Sequence, residues 1–143
     1  MRNLYRIFSV IILLNFMFIT ASAQKLPGEW KLVEARQNGV KVPLGREIKT
    51  NLIFGDKNRL TGNAGCNRYS TVYRLENKSR IKFQPIVSTR MACVDDNFMK
   101  QENTFFSVME KIEKYKIKGN QLIFFDSNER NVLRFARVPH LNP

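Results

Sequence analysis

The sequence holds a single histidine, His140, and only two cysteines in 143 residues. A serine triad needs an imidazole base, and His140 sits in a Pro-flanked tail running from Pro139 to Pro143. No G-x-S-x-G elbow presents a nucleophile. No C-x-x-C pair is present for thiol–disulfide chemistry. A zinc site draws on about four Cys, His or carboxylate ligands, more than two thiols and one imidazole supply. Acids are scarce too, 12 against 24 Lys and Arg. Glycosidase chemistry needs two carboxylates flanking a cleft. Asp56, Asp95, Asp96 and Asp126 instead fall at turns or a helix start, where turn and capping residues belong. The expectation is a protein without catalytic residues, metal or cofactor.

Long apolar runs are also missing, apart from one at the N-terminus. Arg2 and Arg6 give a positive start, Ile7 to Ile19 is apolar except for Ser9 and Asn15, and Ala21-Ser22-Ala23 precedes Gln24. This order is that of a cleavable secretory signal over residues 1–23. The run falls short of the roughly 20 residues of a spanning helix. No cysteine follows it for lipidation, the first being Cys66. The expectation is export to the periplasm or exterior, with residues 24–143 a soluble domain after cleavage and no transmembrane segment in it.

The two cysteines, Cys66 and Cys93, lie 27 positions apart. An even count in an exported chain favours a disulfide, with a free thiol pair or two metal ligands as the alternatives. The chain is strongly basic, with a formal net charge of +12. The densest basic stretch is Lys111, Lys114, Lys116 and Lys118. It reads either as a solvated face or as a patch for an anionic envelope component, such as lipid headgroups, glycans or an acidic protein. Nucleic acid is not an expected partner of an exported chain, and aromatic and basic residues do not interleave in the RNA-binding manner.

Strand signals dominate the rest. Gly28 to Ala35 alternates around Trp30 and Leu32, with Glu34 continuing the same face. Asn38-Gly39 marks a turn, and Lys41 to Gly45 reads as loop. Thr50 to Phe54 and Arg59 to Ala64 form a hairpin pattern; Thr71 to Leu75 and Arg80 to Phe83 follow, the latter stopped near Pro85. Asp95 or Asp96 opens a helix whose stripe of Phe98, Phe105, Val108, Met109 and Ile112 runs to about Lys114. Tyr115 to Lys118, Gln121 to Phe125 and Val132 to Ala136 complete seven or eight strands. The expected fold is one α+β domain with its core at about residues 28–136. It is a small antiparallel β-rich domain, a curled sheet or partial barrel with one main helix.

Two segments carry a family resemblance. Leu60-Thr61-Gly62-Asn63-Ala64-Gly65-Cys66-Asn67-Arg68-Tyr69-Ser70 resembles the central signature of the META domain, the HslJ-like heat-shock family. Ser88-Thr89-Arg90-Met91-Ala92-Cys93 resembles its second signature. The flanks are similar as well: Gly28 and Trp30 before, then Glu102 and Phe105, then Gly119 to Leu122, then a last strand near Phe135. The resemblance implies a small β-rich domain with a helix and an exported or envelope-associated role, with relatives linked to heat response, motility or secretion. It implies no enzymatic activity, and it places Cys66 and Cys93 at the two signature positions. Thr71 departs from the glycine frequent there, which puts a local turn in question. If the two motifs meet, Asn67, Arg68 and Arg90 are the candidate ligand-binding residues, since guanidinium forks match carboxylates and phosphates. The competing role for these residues is to satisfy irregular backbone.

Overall fold

The structure is a computed structural model that describes residues 26–77, 79–93 and 95–139. The signal segment 1–23 and His140 lie outside the described residues.

Among the described residues, ten antiparallel strands and one α-helix follow in chain order: β1 Gly28–Gln37, β2 Val40–Val42, β3 Asn51–Phe54, β4 Arg59–Asn63, β5 Arg68–Leu75, β6 Ile81–Phe83, β7 Val87–Ser88, α1 Asp96–Met109, β8 Lys114–Lys118, β9 Gln121–Phe125 and β10 Val132–Arg137. The sheet runs β6-β5-β4-β3-β1-β10-β9-β8, with β2 on β1 and β7 on β5. Its two ends meet. Ile81 donates to the Glu113 carbonyl at 3.0 Å and Tyr115 to the Ser79 carbonyl at 2.8 Å, and Arg80 bridges Lys114. The expected curled sheet is therefore a partial barrel whose seam lies between β6 and β8.

Side-chain alternation fills the interior. Trp30, Leu52, Leu60, Phe124, Leu133 and Phe135 are fully buried, and Phe105, Val108 and Met109 of α1 join the same core. The Trp30 indole donates to the Leu26 carbonyl at 2.9 Å, and the Arg137 guanidinium stacks 4.1 Å from its ring. That pins both ends of the domain to one side chain.

Several boundaries differ from the sequence reading. A register shift between Leu32 and Glu34 turns Glu34 outward to Arg36 and Arg134 and buries Ala35 in its place. A bulge adds one residue and so inverts the facing of all that follow. Asn38 and Gly39 both take positive φ, 53° and 87°, as a two-residue hairpin turn requires. That turn makes Val40–Val42 a strand where loop was expected. Thr71 is not at a turn but within β5, buried, donating to the Gln84 carbonyl at 2.7 Å. The helix stops at Met109, short of Lys114. Lys111 and Ile112 donate three residues back, to Val108 and Met109, and so tighten the chain out of the α-helix.

Gly62 answers to packing. A Cβ there would press into the Asn51 carbonyl oxygen and lie 2.9 Å from the Tyr69 ring. Tyr69 lies opposite Gly62 and donates its hydroxyl to that same carbonyl at 3.0 Å. Burial pushes the Tyr69 hydroxyl well above its ordinary pKa, so it remains a donor. Gly62→Ala is expected to destabilise by about 1–3 kcal/mol or more, as overpacking does. A urea midpoint unchanged from wild type would contradict this.

Candidate functional site

The two signature segments meet at one end of the barrel. β4 ends at Asn63, whose side-chain oxygen accepts from Gly65 N–H at 2.7 Å. Gly65, at φ 145°, lets the chain turn against α1, where a Cβ would lie 3.3 Å from Ile48 and 3.4 Å from the Phe98 carbonyl. Ala64 N–H donates to the Asn67 carbonyl at 2.9 Å, closing the loop before β5 begins. β7 pairs with β5 through Tyr69 and Ser88, and Thr89 N–H reaches the Arg68 carbonyl at 3.0 Å. This pairing brings Cys93 to Cys66, and the two form a disulfide with Cα atoms 6.0 Å apart.

Beside the bridge lies a polar clasp. The Asn67 side-chain oxygen accepts from the Thr89 hydroxyl and from Met91 N–H, both at 2.8 Å. Its amide nitrogen donates to Glu102 Oε1 at 2.8 Å. Glu102 Oε2 accepts from Asn67 N–H at 2.7 Å and Cys66 N–H at 3.2 Å. One buried asparagine and one buried glutamate thus join both segments to α1. Two donors on one side of the Asn67 amide and a carboxylate on the other fix its orientation. A neighbouring chain extends the polar layer: Gly45 N–H donates to Gln101, Gln101 donates to the Thr50 hydroxyl, and Thr50 donates to the Ala64 carbonyl.

Of the residues singled out from sequence, Asn67 lies inside this clasp with its amide engaged. Arg68 and Arg90 are exposed and come from adjoining backbone stretches, but neither forms an ion pair among the described residues. A cleft of about 460 Å³ lies elsewhere, between the 43–48 loop and the start of α1, walled by Leu44, Ile48, Phe98 and Gln101. Neither arginine lines it. Lys114, Lys116 and Lys118 share the outer face of β8, while Tyr115 and Ile117 pack against the core. Lys111 stands apart, exposed in the turn after α1. The sequence reading missed Gln101 and Glu102 as buried polar groups. The available signal was position: Glu102 falls four residues after Phe98 and three before Phe105, on the stripe itself.

Two of the aspartates noted above serve backbone. Asp95 accepts from Asn97 N–H at 2.8 Å as the α1 N-cap. Asp126 accepts from the Asn131 side chain at 2.6 Å and from Arg130 N–H at 2.9 Å in the β9–β10 turn. Partial burial works to raise the Asp126 pKa, but hydrogen bonds from Asn131, Arg130 and Asn128 outweigh it and hold the carboxyl below its ordinary value. A lowered folded pKa means that the stabilisation is complete above the unfolded pKa and is lost as pH falls through the folded one. Wild type should therefore exceed Asp126→Asn in stability at neutral pH, with the two acid-unfolding curves converging at low pH. A gap that persists at low pH would count against this.

Comparison with known proteins places the arrangement. The META domain family model matches residues 24–139. A search of curated proteins returns no match. Among solved structures, a protein from Burkholderia xenovorans is similar at 22% identity and a TM-score of 0.70, over 84% of this chain and 88% of that one. A DUF4847 family protein from Bacteroides vulgatus is similar at 14% identity and a TM-score of 0.54, over 76% of this chain and 91% of its own. At these identities the structural likeness speaks for the fold.

Proposed function

The chain belongs to the META domain family, and on that premise we propose that it is an exported, non-enzymatic domain that supports the cell envelope under heat or related stress. The observation that carries this reading is the Cys66–Cys93 disulfide, which ties the two family signatures together. Such bridges persist in oxidising compartments and are rare in the cytosol. The N-terminal signal pattern supports the same address. The absence of enzymatic activity is supported by the use of the signature polar groups. Asn67 and Glu102 bond to backbone and to each other rather than converging on a cleft. Among the described residues no helix is long and apolar enough to cross a membrane.

Cell fractionation with mass spectrometry of the N-terminus and thiols tests this directly. The expected product begins at Gln24, lies outside the cytoplasm and carries no free thiol. An uncut, reduced chain in the cytosol would refute export. Loss of the gene should sensitise cells to heat or envelope stress, and unchanged survival across those stresses would remove the proposed role.

A second reading, a binding module for an anionic partner, is favoured by the outward lysine row of β8.

A further inference from the structure

Building on that second reading, we propose that the outer face of β8, with Arg80 across the seam, is a docking strip for a linear acidic polysaccharide. Strand geometry places Lys114, Lys116 and Lys118 in one row, about 7 Å from one ammonium stem to the next. Arg80 is the direct cross-strand partner of Lys114. Directly opposed residues of an antiparallel pair project to the same face, so two cations face each other where the barrel closes. Like charges in that position destabilise the pairing. The domain therefore carries a local electrostatic cost at its own seam, which a bound polyanion would relieve.

The cations bordering the strip share carboxylate partners, and those of the strip have none among the described residues. On the β10 side Arg134 meets Glu34 at 3.6 Å and Gln121 at 3.1 Å. On the β6 side Lys82 and Arg74 both meet Glu76, at 2.9 and 3.1 Å. Arg80, Lys114, Lys116 and Lys118 form no ion pair among the described residues, although Glu113 adjoins Lys114 in sequence. The Lys116 ammonium lies 5.9 Å from the Phe125 ring, which keeps it on the outer face.

The form of the strip selects its partner. The charges follow one strand rather than spreading over a plane. None of the exposed large apolar side chains, Val33, Val40, Ile53, Val72, Leu75, Val87, Met91 and Met99, lies on β8 or β9. Binding in a lipid interface needs an apolar face to insert. Binding to single-stranded nucleic acid uses exposed aromatic platforms, and Phe125 is half-buried beneath Lys116. An extended chain of carboxylates or sulfates needs neither.

The test is titration of the folded protein with heparin and polygalacturonate, set against phosphatidylglycerol vesicles and a single-stranded oligonucleotide. Four charge contacts predict polysaccharide binding that weakens roughly 50-fold between about 50 and 200 mM salt. The Lys114→Gln/Lys116→Gln/Lys118→Gln variant should lose at least about tenfold in affinity. A control with the same charge change at exposed, scattered sites, Lys31→Gln/Lys41→Gln/Lys49→Gln, should stay within about twofold. Arg80→Gln should weaken binding yet raise the melting temperature of the free protein by about 2 °C, because it removes the opposed cation. Equal losses in strip and control variants, tighter binding to vesicles or oligonucleotide, or no salt-sensitive polysaccharide binding would each overturn the strip. None of these outcomes touches export, which fractionation decides separately.

Discussion

Glu102→Ala is expected to lower the stability of the domain by about 3–5 kcal/mol, because it removes one acceptor shared by three amide donors. The substitution leaves Cys66 N–H and Asn67 N–H without their acceptor, and the Asn67 amide with only the Met91 carbonyl, 3.5 Å away. Each unsatisfied buried donor costs about 1–3 kcal/mol. Water entry would recover part of that cost, and so the individual losses do not simply add. Glu102→Gln should fall between alanine and wild type. Its carbonyl can still serve the two backbone donors, but its amide then faces the Asn67 amide nitrogen. Asn67 cannot rotate to adapt, because its oxygen holds the Thr89 hydroxyl and Met91 N–H. Guanidinium unfolding of the three proteins measures the series. A glutamine variant as unstable as the alanine variant would mean that the negative charge, not the acceptor geometry, does the holding.

Removing the bridge is the second large effect. Cys66→Ser/Cys93→Ser should cost about 3–4 kcal/mol, from the closure entropy of the loop between them. The span is 27 residues. A domain of this size has about 5–15 kcal/mol in total, so the loss is a large share of it. The variant should nonetheless fold, because Asn67 and the Tyr69–Ser88 pairing hold the second segment without the sulfurs. Wild type unfolded in the presence of reductant should match the variant. An unfolded variant at room temperature would show that the clasp depends on the bridge, and an unchanged midpoint would show that the bridge closes no entropy.

Much of this architecture was legible from local chemistry. Asn38-Gly39 marked its turn because those residues tolerate positive φ. Asp95 marked the helix start because its side chain can take an orphan N–H. The cysteines were pairable from their even count and the N-terminal signal pattern. What escaped had non-local causes. The bulge at Leu32 and Glu34 answers to the register of β10. β7 is a strand only because β5 lies beside it. The helix end had no glycine to announce it, and Glu110 to Glu113 would extend a helix on propensity alone. The clasp was legible in part. Asn67 stood out, but as a ligand-facing group beside two arginines, because a sequence does not say whether a polar side chain turns toward solvent or toward backbone. Glu102 sat on the apolar stripe, where a carboxylate signals a buried partner still to be found.

The two family signatures meet on α1 in one structural clasp, centred on Asn67 and Glu102. A thermodynamic double-mutant cycle of Asn67→Ala and Glu102→Ala, with the disulfide intact, tests it most directly. The clasp predicts strong coupling, about 1.5–3 kcal/mol, so that the double variant loses less than the sum of the two single losses by that amount. Additive losses, to within about 0.5 kcal/mol, would contradict it.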